Sequence, residues 1–64
     1  MTIIEAVMDM GSYRIRRKSC PEYEYMLIDD FLYLVFSESK EIPADFTKEE
    51  IIANDWEIVR LNRL

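Results

Sequence analysis

The residues best able to do chemistry lie in one run, Tyr13 to Pro21, which holds Arg14, Arg16, Arg17 and Lys18. Half of the chain's eight basic residues are therefore in one place, while thirteen Asp and Glu give the molecule a net charge of −5. An arginine fork offers two donors to two phosphate oxygens, so a strand end rich in arginine is suited to binding a phosphate. The competing reading is that these arginines pair with carboxylates on neighbouring strands and keep a sheet edge soluble. Cys20 follows Arg17 and Lys18, cations that favour the thiolate. A cysteine nucleophile normally works with a base, and the chain contains no His. Cys20 therefore reads as a small packed hydrophobe. The pair Asp29-Asp30 lacks the further oxygen ligands of a cation-binding loop and reads as turn chemistry. With one Cys and no His, a structural zinc is not expected either. There is no Gly-rich phosphate loop and no nucleophile motif. Neither enzyme activity, nor a metal, nor a cofactor is expected.

Size decides how such residues can be held. The 64 residues are expected to form one domain, residues 1–64. A domain of about 60 residues buries only about 60% of the surface its unfolded chain exposes, so its core is marginal. A lone Cys20 cannot form an intrachain disulfide, which leaves packing or self-association to supply stability. With half of its residues hydrophobic, the chain is expected to be a homo-oligomer. One unpaired Cys and the lack of a secretory signal lead us to expect a reducing, cytoplasmic setting. The apolar stretch Ile3 to Met10 is broken by Glu5 and Asp9 and is too short to span a membrane. The acidic balance argues against direct nucleic-acid binding, which needs positive charge to displace counterions. Residues 21–57 hold eleven Asp and Glu against Lys40 and Lys48, so the charge is polarised along the chain.

Thr2 and Glu5 form a capping box that opens a helix of about two turns, and Gly11 is placed to end it. Tyr13 to Lys18 alternates as a half-buried strand, with Arg14 and Arg16 on one face, and Pro21 is expected to stop it. Tyr23–Ile28 and Phe31–Phe36 read as two strands of a hairpin. Asp29-Asp30 lacks the glycine of a two-residue turn, so a longer loop or bulge is expected there. The second of these strands is apolar on both faces, which suits a central strand or one with a subunit interface behind it. Ser37 to Asp45 reads as a polar loop. Thr47 and Glu50 form a second capping box, with Phe46 and Ile51 spaced for a hydrophobic staple, over a helix from Lys48 to Ala53. Trp56 to Leu61 reads as the last strand. The expected fold is α+β: an antiparallel sheet of about four strands with two short helices on one side, in the order α-β-β-β-α-β.

The ending Asp45-Phe-Thr-Lys-Glu-Glu-Ile-Ile-Ala-Asn-Asp-Trp-Glu-Ile-Val59 closely resembles the C-terminal signature of a family of small phage and prophage proteins. This is the Tad2-like family, after Thoeris anti-defence protein 2. The helix Thr2–Gly11, the basic strand Tyr13–Ser19 and the paired segments Tyr25–Asp30 and Leu32–Phe36 resemble that family as well, so the likeness spans almost the whole chain. It implies a homotetramer or dimer that acts as a molecular sponge. Such proteins sequester cyclic ADP-ribose-type signals or cyclic oligonucleotides without cleaving them, in the bacterial host cytoplasm. Carried over by position, it implies a ligand site of Arg16, Arg17, Ser19, Asp55 and Trp56. The chain departs from the family pattern at Cys20, where relatives usually carry Trp, and in a trimmed connection before the last helix. Two other functions fit the composition. One is an acidic inhibitor that occupies the nucleic-acid channel of a host defence nuclease, and the other is an oligomeric accessory protein without a ligand.

Overall fold

In the computed structural model, which describes residues 1–37 and 40–60, the first helix α1 (Ile3–Met10) begins at the expected capping box. The Glu5 amide donates to Thr2 Oγ1 (3.2 Å), and the Thr2 amide donates to Glu5 Oε1 (2.8 Å). These two bonds satisfy amides that the first turn leaves unpaired. The Thr2 amide also holds the Glu5 carboxyl below its ordinary value. Gly11 ends the helix at φ 54°, where a side chain would be strained.

Five strands follow: β1 (Arg14–Arg17), β2 (Cys20–Ile28), β3 (Phe31–Ser37), β4 (Lys40–Pro43) and, after the second helix α2 (Lys48–Ile52), β5 (Trp56–Val59). They form one antiparallel sheet in the order β4-β3-β2-β1-β5. The α+β class is as expected, but the sheet has five strands rather than about four. The added strand is β4, in the stretch that reads as a loop; residues 38 and 39 of that stretch lie outside the described residues. Its sequence, Lys-Glu-Ile-Pro, has little strand character of its own. It is held by register with β3, pairing Leu34 with Ile42 and Tyr33 with Pro43. As an edge strand it tolerates both Pro and charge.

Pro21 does not end a strand but lies within β2. The register explains how: Arg16 pairs with Glu24, yet the next residue, Arg17, pairs with Cys20. Pro21, Glu22 and Tyr23 thus form a bulge with no residue of β1 opposite, and Pro21 has no ladder bond to lose.

The hairpin between β2 and β3 also departs from expectation. Ile28 pairs with Phe31, so Asp29-Asp30 is a two-residue turn, with φ of 53° and 70°. Both aspartates occupy the left-handed region that such a turn demands and that Asp tolerates better than most residues. We predict that Asp29→Asn with Asp30→Gly stabilises the protein by about 1 kcal/mol and raises its melting temperature by roughly 4–8 °C. A thermal scan showing no gain or a loss would contradict this account of the turn.

Cross-strand register sorts the two faces of the sheet. Ile58, Ile15, Tyr25, Leu34 and Ile42 lie in one row across it. This face meets α1, and the core forms between them. Ala6, Met10, Ile15, Tyr25 and Trp56 are buried among the described residues, with Phe46, Leu27 and Leu32 packed at the margin. Phe46 turns onto Tyr25 and Trp56, with ring centroids 4.9 and 5.6 Å away, while Ile51 stays half-exposed. On the opposite face the row runs Glu57, Arg16, Glu24, Val35, Glu41. Among the described residues, no helix is long and apolar enough to cross a membrane.

Candidate ligand-binding site

Of the five residues the resemblance points to, the fold brings three together. Asp55, just before β5, clamps the turn that joins β1 to β2. Its backbone carbonyl accepts from the Lys18 amide (2.9 Å), its Oδ1 accepts from Arg17 Nε (2.7 Å), and its Oδ2 accepts from the Ser19 amide (3.2 Å). Neither Lys18 nor Ser19 takes a positive φ, so this tight turn is not of the primed kind. The neighbouring bulge and the Asp55 clamp hold it in place.

Arg17 lies on the core face, opposite Trp56. It engages Asp55 through Nε alone, and its two Nη groups have no hydrogen-bond partner among the described residues. Its side chain is about a quarter exposed. Lys18 beside it is exposed. Cys20 is half-buried, and Tyr25 lies close enough that the charge of Arg17 opposes a rise in its hydroxyl pKa, a rise caused first by burial and then by Glu50. This end of the sheet therefore offers an oriented guanidinium fork beside an exposed ammonium.

Arg16 faces away from this group, and Trp56, although paired opposite Arg17, has its ring buried in the core. Neighbouring strand residues point to opposite faces, so Arg16 emerges on the open face. There it meets Glu57 at 2.6 Å and Glu24 at 3.7 Å, and Arg14 meets the same Glu24 at 3.0 Å. Trp56 is 1% exposed; its ring lies edge-on to Tyr25 and Phe46, and Nε1 donates to the Glu50 carbonyl at 2.9 Å. The Asp55 clamp had no sequence signal beyond the resemblance, because all three of its bonds cross more than 35 residues of chain. No group of His, Cys, Asp and Glu that could hold a metal occurs among the described residues.

Asp55 is the most strongly shifted carboxylate here. The bond from Arg17 is the main cause, with the Ser19 amide adding to it, and together they lower its pKa from 3.8 to about 2. The ionised clamp is favoured in the folded state, so its contribution is fully present above pH 3.8 and is lost as pH falls through about 2. We predict that Asp55→Asn lowers the melting temperature at neutral pH, and that the gap to the wild type closes between pH 4 and pH 2. A gap that is constant with pH would contradict the ionised clamp.

No family model, no curated protein and no solved structure matches the chain.

Proposed function

We propose that this protein is a Tad2-like anti-defence protein that sequesters a cyclic nucleotide-type immune signal in the host cytoplasm and does so as a homo-oligomer. The observation that carries the reading is the Arg17 fork, held through Nε by Asp55 with both Nη groups unpartnered among the described residues, beside the exposed Lys18. A guanidinium fixed in orientation before the ligand arrives loses little entropy on binding a phosphate. The Ser19 amide is committed to Asp55, so Ser19 contributes chiefly by closing the turn. The self-association rests on the core. Five buried side chains are few for a stable monomer, and ten large hydrophobic residues are exposed among the described residues. Titration calorimetry against cyclic ADP-ribose isomers and cyclic di- and trinucleotides tests the reading. Micromolar or tighter binding of one of them is expected, and no binding across the panel would overturn it.

One observation favours a second reading. Arg14, Arg16 and Arg17 are each paired with a carboxylate, whereas Glu22, Asp29, Asp30, Glu41, Asp45 and Glu49 are exposed with no ion pair among the described residues. This outward acidity suits an inhibitor of a nucleic-acid-binding host protein, with charge steering the encounter. Such an inhibitor is recovered with a host partner in a salt-sensitive complex and is indifferent to Arg17→Ala.

A further inference from the structure

Helix α1 is apolar nearly all round. Of its eight residues only Glu5 and Asp9 are polar. Ala6 and Met10 fill the core, and Ile3 and Val7 are half-buried at its margin. Ile4 and Met8, one turn apart, point away from the sheet and are 72% and 79% exposed. A helix with apolar residues on opposite sides belongs between two layers, and the protomer supplies only one. Beside the Ile4–Met8 ridge runs a cleft of about 310 Å³, lined by Ile3, Ile4, Val7, Met8, Leu32 and Phe46. Ridge and cleft thus adjoin on one patch.

We propose that α1 is a self-association surface: two copies pack α1 against α1 about a two-fold axis, with Ile4 and Met8 of each entering the cleft of the other. This inference rests on the self-association part of the preceding reading and names the surface that makes it. Two observations select a second copy as the occupant. A two-fold contact requires one patch to be self-complementary, and a ridge beside its own cleft meets that requirement. Two copies each carrying −5 repel, and this cleft is lined entirely by uncharged side chains on which they can meet. An unrelated partner recruited by an acidic protein is selected by charge, which this cleft lacks.

The open face of the sheet is the lesser candidate. Its charged half is already ion-paired, and Met26, Ile28, Tyr33 and Val35 shield one another to intermediate exposure. Phe31, 68% exposed on that face, serves as a control position.

Sedimentation velocity of the wild type, Ile4→Glu/Met8→Glu and Phe31→Glu, each checked by far-UV circular dichroism, tests the proposal. The wild type is expected to sediment as a dimer or larger species at about 100 μM. The α1 double variant is expected to lose at least half its subunits with its fold intact, with self-association weakened about 100-fold or more. Phe31→Glu is expected to keep the wild-type assembly. An oligomer that survives the α1 changes overturns this surface but leaves self-association standing. A monomeric wild type overturns both. Should the double variant unfold, Met8→Gln alone replaces it, and an unweakened oligomer in that variant overturns the proposal.

Discussion

Trp56→Ala is expected to abolish the folded state, as a loss of dispersed amide resonances and of cooperative melting, because this one side chain joins every layer of a very small core. Its ring packs edge-on against Tyr25 from β2 and against Phe46 from the segment before α2. Its Nε1 donates to the last turn of α2 through the Glu50 carbonyl. Its backbone pairs with Arg17 on one side, and its amide donates to the Met1 carbonyl on the other. Truncating a buried Trp costs about 3–5 kcal/mol. A chain of this length has roughly 3–10 kcal/mol in total. Trp56→Phe separates packing from the hydrogen bond. It keeps an aromatic ring but strands the Glu50 carbonyl, and should remain folded with a loss of about 1–2 kcal/mol. A Trp56→Ala protein that melts cooperatively near the wild-type temperature would contradict the core described here.

The second large effect is on binding. Under the proposed sponge function, Arg17→Ala should weaken ligand capture by about 10- to 100-fold, the scale of a lost hydrogen bond to a charged group. Stability at neutral pH should fall as well, because Arg17 is the main cause of the lowered Asp55 pKa, but only modestly, since the pair is partly solvent-exposed on both sides. Arg17→Lys keeps the charge but loses the fork, and should fall between the two. Asp55→Asn acts through Arg17: it releases the guanidinium and loosens the Ser19 bond, so affinity should drop less than in Arg17→Ala while stability drops more. Arg16→Ala offers a contrast within the same strand. Its fork is taken up by Glu57 and Glu24 on the open face, so a comparable loss of affinity there would mean that a neighbouring copy brings that face to the ligand. Unchanged affinity in Arg17→Ala would remove the phosphate role assigned to it.

What the sequence revealed follows the range of the interactions involved. Both capping boxes, the Gly11 terminus and the alternation of β1 depend on residues within a few positions of one another, and the structure has them where expected. The strand β4 does not work this way. Lys40–Pro43 is extended because β3 offers it an edge, a fact recorded in residues 33–37 rather than in its own composition. The Asp29-Asp30 turn was obscured by the opposite problem. The pair lacks the glycine that these angles favour at the second position, and the pairing of two strongly apolar strands imposes the angles on it. At the candidate site, strand alternation already separates Arg16 from Arg17. The Asp55 clamp depends on β5 lying beside β1, a long-range pairing that local patterns do not encode.

Native mass spectrometry of the protein purified from cells producing a defence signal tests the central claim most directly, because it reports subunit number and retained ligand together. A capturing oligomer should appear as a multiple of the 7.7 kDa chain that carries the extra mass of a cyclic nucleotide, and Arg17→Ala should carry far less of it. A bare 7.7 kDa monomer from the same cells would contradict the account.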